Sequence, residues 1–320
     1  MLRCAVLDDY QDVARKFGDW QKLKGRVEPQ VLTEHIADRE RLVKTIEDAE
    51  IVIAMRERTP FDRALIERLP KLKLLVTTGA RNASIDLKAA AERGIVVCGT
   101  EGSPGPTAEL TWGLIFSLMR HIPEEVRNFR ARGEQWQLSV GREVSGRRLG
   151  VIGLGKLGSR VARAGLAFGM KVSAWSENLT AERCAEIGVE HAGTLDDLLR
   201  TADIVTIHLV LSDRTRGLIG ARELGLMNRD ALLVNTSRGP IVDEPALIEA
   251  LTEKRIAGAG IDVFAKEPLP ADHPFRRLGN VVATPHLGYV TEESYKLFYG
   301  QAVDDIAAWL DGKPLRVISA

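Results

Sequence analysis

Three glycines at a fixed spacing are the first residues of this chain whose pattern could do chemistry. Gly153, Gly155 and Gly158 stand at the one, three and six positions of a turn in the run Gly-Val-Ile-Gly-Leu-Gly-Lys-Leu-Gly, residues 150–158. The first permits a tight turn, the second lets a pyrophosphate approach the main chain, and the third lets the next helix pack closely on a strand. Unpaired N–H groups at the start of that helix, around Lys156 and Leu157, would face the anion. Further along, three stretches each place polar groups after an apolar run: Val-Asn-Thr-Ser-Arg-Gly at 234–239, Gly-Ile-Asp-Val-Phe-Ala-Lys-Glu-Pro at 260–268 and Ala-Thr-Pro-His-Leu-Gly at 283–288. Taken singly, Arg238 reads as a surface turn, Glu267 as a loop charge and His286 as one histidine among six. Together, at the ends of strands downstream of a glycine turn, they sit where an open α/β sheet gathers its chemistry.

The elements around the turn are the ones such chemistry needs. Residues 149–152 read as a buried parallel strand, and Leu157, Val161, Ala164 and Phe168 recur at helical spacing until Gly169 ends the helix. A second strand follows at 171–175, completing a strand-turn-helix-strand unit within about 30 residues. Apolar runs at 203–209, 231–236, 258–263 and 280–284 extend it to six or seven parallel strands, with helical patterns at 195–201 and 244–253. A unit that prefers NAD ends its second strand on an acid that holds the ribose hydroxyls; here Ser176 stands at that position and Glu177 one residue late. NADP would call for a nearby Arg, and the next basic residue is Arg183. NAD is the first choice, with NADP open.

The first hundred residues alternate short apolar runs, at 4–7, 27–32, 51–54, 72–76 and 95–98, with charged helical segments such as 39–49 and 61–69. This is a second parallel sheet without a glycine fingerprint. Its ligand-facing segments would follow the third and fourth strands, at Arg56 and at Thr77, Thr78, Gly79, Ala80, Arg81 and Asn82. The latter is a site for a small anion or only a polar turn before the helix at 86–93. A Gly/Pro/Ser-rich stretch at 100–106 marks a boundary, and 107–132 reads as one long helix kinked or divided by Pro123. The helix at 291–310 would return to the first sheet. The expected organisation is therefore α/β, with two doubly wound parallel-sheet domains: a Rossmann domain (100–287) inserted in a flavodoxin-like substrate domain (1–99 and 288–320).

Bulk properties narrow the partners. A chain of 320 residues has length for two cores, and Lys plus Arg and Asp plus Glu each number 44, so no net basic field recruits nucleic acid or an anionic membrane. Cys4, Cys98 and Cys184 have no metal-ligand spacing and fit a reducing compartment, so no metal is expected. The amino terminus turns acidic too early for a signal peptide, and no run reaches the length of a membrane span. A cytoplasmic location is expected.

From about residue 75 onward the ordered motifs resemble the D-isomer-specific 2-hydroxyacid dehydrogenase family. The resemblance implies that Arg238 holds the substrate carboxylate and polarises the carbonyl, a task suited to a planar guanidinium. It implies that His286 is the acid/base, with Glu267 as its carboxylate partner raising the imidazole pKa. It places Asp262 against the nicotinamide carboxamide, and Thr236 and His208 beside the cofactor, although His208 lacks the proline usual two residues later. Gly79 keeps its place in the family's carboxylate-binding loop, with Thr78 beside it, while Arg81 stands where a second glycine is usual. Trp136 resembles the arm that packs on a second subunit, implying a homodimer. The sequence stops near Leu315 without an additional regulatory domain, so reduction of glyoxylate or hydroxypyruvate is expected. Phosphoglycerate oxidation is the alternative, and a dinucleotide-sensing binding protein of the corepressor type is the rival from another class.

Overall fold

The computed structural model describes residues 1–319 and divides into two compact units, Met1–Ser103 with Val290–Ala320, and Pro104–Tyr289. In the first unit, β1 (Leu2–Val6), β2 (Val27–Val31), β3 (Ile51–Ala54), β4 (Leu74–Thr77) and β5 (Val96–Gly99) form one sheet in the order β2-β1-β3-β4-β5. All its neighbours run parallel. Every residue of β3 and β4 is buried, as expected of strands covered by helices on both faces. The helix Glu292–Leu310 belongs to this unit and buries Tyr295, Phe298 and Tyr299.

The second unit holds β6 (Arg148–Ile152), β7 (Lys171–Trp175), β8 (Glu190–His191), β9 (Ile204–Ile207), β10 (Leu232–Asn235), β11 (Gly258–Ile261) and β12 (Val281–Ala283). Their order is β12-β11-β10-β9-β6-β7-β8, all parallel, so the direction of winding reverses between β6 and β9. This is the Rossmann arrangement, and the first sheet has the flavodoxin order. Ile152, Val205, Leu233 and Ile261 pack on one side of the second sheet. Leu149, Val151, Ile204 and Val234 pack on the other, against Trp112 and Ile115 of the helix Gly105–Met119. Each such side chain contributes about 1.5–3 kcal/mol on burial.

Some elements depart from the sequence expectation. The helix expected over 107–132, kinked or divided by Pro123, is divided into two, Gly105–Met119 and Ile122–Arg130. His121 between them adopts a left-handed conformation at φ 52°, and Pro123, which has no N–H to donate, lies in the first turn of the second helix. β8 escapes the sequence reading because Glu190 and His191 are both exposed and form no apolar run. The helices Ala181–Ile187 and Ala221–Leu226 escape it too.

Close packing of the glycine turn sets a stability test. A Cβ at Gly158 would collide with the Gly153 carbonyl oxygen, whereas one at Gly155 would meet nothing within 4 Å. Gly158→Ala should therefore cost about 1–3 kcal/mol in urea unfolding, and Gly155→Ala should stay within about 0.5 kcal/mol of the parent. Equal stabilities for the two variants would contradict this geometry.

Candidate active site

Three strand ends of the second unit converge on one cluster. After β10, Asn235 works as a clamp: its Oδ1 accepts from the Ser237 N–H at 3.0 Å, and its Nδ2 donates to the Arg238 carbonyl at 3.0 Å. Ser237 Oγ donates to the Ile207 carbonyl at the end of β9, 2.8 Å away. A Cβ at Gly239 would run into the Phe264 carbonyl group, so only glycine lets this turn lie against the backbone that follows β11. Arg238 is thereby fixed at its base and leaves the turn half-buried.

After β11, Asp262 is fully buried and grips the segment after β12. Its Oδ1 accepts from Thr284 Oγ1 at 2.6 Å and from the Leu287 N–H at 2.7 Å; its Oδ2 accepts from the Gly288 N–H at 2.8 Å. Between these anchors His286 takes a left-handed backbone at φ 55°. The carboxylate expected against a carboxamide is thus enclosed, and in this structure it holds the histidine's segment. Burial pushes the Asp262 carboxyl up, with the Thr284 hydroxyl, the Leu287 N–H, the His286 charge and the Gly288 N–H acting the other way.

Glu267 joins the two strand ends. Its Oε1 accepts from the Phe264 N–H at 2.9 Å, and its Oε2 lies 2.7 Å from His286 Nδ1. With Nδ1–H donating to the carboxylate, Nε2 is left to exchange a proton. Burial works to raise the Glu267 carboxyl, but the His286 hydrogen bond, the His286 charge, the Phe264 N–H and the Arg238 guanidinium outweigh it, and the net shift is downward. The set is therefore a carboxylate-oriented imidazole with a guanidinium in its field.

On the dinucleotide side, Gly153 has φ 96°, and a Cβ there would lie 2.7 Å from the His208 carbonyl oxygen. Gly155 opens the helix Lys156–Ala167 with no side-chain cap, and the space beside its Cα is empty. Uncapped N–H groups facing open space fit a pyrophosphate, and a side chain at Gly155 would fill that space. His208 has Nε2 2.9 Å from Thr206 Oγ1, its Nδ1 is buried without a hydrogen bond, and burial pulls its pKa down to about 3. It is neutral at pH 7 and unsuited to proton exchange. Thr236 is buried, with Oγ1 2.9 Å from Thr111 Oγ1. Ser176 follows β7, and Glu177 beside it accepts from Arg214 Nη1 at 3.0 Å. Among the described residues no group of three or more His, Cys, Asp or Glu is placed to hold a metal ion.

Arg56, Thr78 and Gly79 come together in the first unit. Thr78 Oγ1 accepts from the Arg56 N–H at 2.9 Å, the Gly79 N–H donates to Thr100 Oγ1 at 2.8 Å, and the Arg56 guanidinium lies over Gly79, where a Cβ would collide with it. Asn82 Nδ2 closes the loop on the Arg56 carbonyl at 2.6 Å and Thr77 Oγ1 at 2.8 Å. The sequence reading misses the supporting roles of Asn235 and Thr284 and the partnership of Arg214 with Glu177. The Asn-Thr-Ser-Arg-Gly run carries a signal for Asn235, since Asn readily bonds the backbone two residues on; nothing in the sequence marks Arg214.

Asp262→Ala leaves the part-buried Leu287 and buried Gly288 N–H groups without their acceptor, and should cost about 1–3 kcal/mol in urea unfolding while loosening the His286 segment. Because the Glu267 carboxyl is lowered in the fold, its stabilising contribution is present above the ordinary carboxylate value and lost as pH falls through the folded value. The gap in melting temperature between the parent and Glu267→Gln should be open at about pH 6 and narrow in the range below about 4.3.

Comparison with known proteins adds a family match and whole-chain structural likeness. Residues 112–288 match the family model described as D-isomer specific 2-hydroxyacid dehydrogenase, NAD binding domain. The chain is 39% identical over 261 residues to a D-3-phosphoglycerate dehydrogenase of Methanocaldococcus jannaschii, a match covering 81% of this chain and 49% of that protein. It therefore spans about half the length of that relative. It is 41% identical over 261 residues to a glyoxylate reductase of Aeropyrum pernix, covering 79% of this chain and 77% of the other. A solved phosphoglycerate oxidoreductase from Vibrio cholerae superposes with a TM-score of 0.93 at 35% identity, covering 98% of this chain and 100% of that one.

Proposed function

Since the chain belongs to the D-isomer specific 2-hydroxyacid dehydrogenase family, we propose that it transfers a hydride between a nicotinamide dinucleotide and a small D-2-hydroxy or 2-oxo acid. The observation that carries the reading is the 2.7 Å contact of His286 Nδ1 with Glu267, in the same unit as the uncapped glycine turn. Arg238 binds the substrate carboxylate through paired hydrogen bonds and draws electron density from the adjacent carbonyl. His286, held by Glu267 in the tautomer that leaves Nε2 available, gives its proton to the carbonyl oxygen in reduction and takes it back in oxidation. The turn of Gly153, Gly155, Lys156, Leu157 and Gly158 would hold the pyrophosphate of a nicotinamide dinucleotide, which would supply or accept the hydride. Asp262 acts indirectly, by holding the segment that carries His286.

Glyoxylate or hydroxypyruvate is the proposed substrate, supported by the 41% identity with a glyoxylate reductase over most of that protein's length. A phosphorylated three-carbon acid is the second reading, favoured by the Arg56 guanidinium after β3 and by the phosphoglycerate dehydrogenase relative. The family model, described as an NAD binding domain, supports a nicotinamide cofactor; the carboxylate of Glu177, which would favour NAD, is engaged by Arg214. A homodimer is proposed from an apolar surface: Ile122, Val126 and Phe129 share a helix face, Trp136 packs edge-on to Phe129 at 6.0 Å, and Val140 is 93% exposed. No described helix is long and apolar enough to cross a membrane, and the three cysteines are free and buried, which supports the proposed cytoplasmic location.

The test is oxidation of NADH and NADPH against glyoxylate, hydroxypyruvate, pyruvate, phenylpyruvate and phosphohydroxypyruvate. His286→Ala should lower turnover roughly 10²-fold to 10⁴-fold with dinucleotide affinity retained. Parental turnover in that variant removes His286 from its role, and dinucleotide binding without turnover of any 2-oxo acid moves the reading to a sensor.

A further inference from the structure

A cationic groove in the second unit bears on which nicotinamide dinucleotide the proposed reaction uses, and the inference rests on that reading. Lys156, Ser159, Arg160, Arg163 and Arg183, together with Pro104, line an open groove of about 640 Å³ that no carboxylate lines. Lys156, Arg160 and Arg163 repeat at helical spacing along the helix Lys156–Ala167. None of these three has an ion pair or a side-chain hydrogen bond among the described residues. Arg183, in the first turn of the helix Ala181–Ile187, donates to Ser159 Oγ at 3.3 Å and to Glu186 at 2.7 Å. Several other surface arginines are matched, as Arg39 is by Asp62, Arg68 by Glu40 and Arg222 by Asp196. In a chain with 44 acidic and 44 basic residues, this stripe is a local excess of positive charge.

The groove starts where the dinucleotide would begin. Lys156 belongs to the first turn of the helix opened by Gly155, beside the place for the pyrophosphate. The adenosine ribose of a Rossmann ligand then runs toward the end of the second strand, here β7 and Ser176. Arg183 lies on the helix that follows β7, and its guanidinium reaches Ser159 on the glycine-turn helix. At the end of β7 the feature that selects against a 2′-phosphate, an unopposed carboxylate, is missing: Ser176 is neutral, and Glu177 is ion-paired with Arg214 at 3.0 Å. We propose that Arg183, backed by Lys156 and Arg160, receives the adenosine 2′-phosphate, and that the chain prefers NADP(H) to NAD(H). A free phosphate or another phosphorylated ligand presents the same chemistry to the groove, so the test separates the sources.

Equilibrium binding to the full chain would be measured by calorimetry for NADPH, NADH, 2′,5′-ADP, 5′-AMP and inorganic phosphate. NADPH should bind about 10-fold to 100-fold more tightly than NADH, with the same order for 2′,5′-ADP over 5′-AMP. The gap should shrink as salt is raised. Arg183→Ala should close most of it, lowering NADPH affinity far more than NADH affinity, and Arg183→Lys should keep part of it. NADH binding as tightly as NADPH, or a gap that survives Arg183→Ala, overturns the assignment and leaves hydride transfer standing. Inorganic phosphate bound without any preference for 2′,5′-ADP also overturns it, in favour of a separate anion site. Binding of neither dinucleotide overturns the dehydrogenase reading along with it.

Discussion

The candidate site depends on one buried carboxylate. Asp262 follows β11 and, through three hydrogen bonds, fixes the segment that leaves β12. Without that grip, His286 would have to hold a left-handed backbone on a free loop, a conformation a non-glycine residue adopts at some cost. With it, the imidazole is held within 2.7 Å of Glu267, whose other carboxylate oxygen is fixed by the Phe264 N–H at 2.9 Å. The parallel sheet makes this possible. All its strands end on one edge, so residues far apart in sequence, at 235–239, 262–267 and 284–288, meet there by topology alone.

Charge is arranged in the second unit by pairing where structure needs it and by local excess where a ligand would bind. Glu267 is matched by His286 and lies in the field of Arg238, and its carboxyl is held low despite burial. The groove along the helix Lys156–Ala167 has the opposite character, with cations and no lining carboxylate. Exposed ion pairs such as Arg222 with Asp196 contribute little to stability on their own. An unmatched cationic stripe does not favour folding, but it raises the local concentration of an anion.

Much of the fold is legible in the sequence because buried parallel strands are short apolar runs and the glycine spacing marks the turn that follows one of them. The catalytic candidates are legible for a related reason: each follows such a run closely. What the sequence hides is contact between distant segments. Thr284 is an ordinary threonine until Asp262 is seen 2.6 Å away, and Arg214 has no mark in sequence that ties it to Glu177. The break at His121 is hidden differently, because Pro123 is compatible both with a kink and with the first turn of a new helix, and only the backbone of the residues before it decides. β8 is lost because an edge strand of two exposed residues has no apolar pattern to read.

The same contacts weigh between a dehydrogenase and a protein that only binds a dinucleotide. Binding needs the uncapped helix, the open space beside Gly155 and the close approach of Gly153 to His208, and the dyad at 267 and 286 is not required for it. Ionising the buried Asp262 is a cost to folding that its hydrogen bonds to Thr284, Leu287 and Gly288 offset only in part: burial raises the carboxyl, and stability falls as pH rises through the folded value. A burden of that kind persists where a site needs it. Its effect here is to hold the segment carrying His286, and His286 is in turn oriented by Glu267. An oriented imidazole with a guanidinium in its field has a use in moving a proton at a carbonyl oxygen and none in merely retaining a cofactor, which is why the arrangement favours the catalytic reading over the sensor.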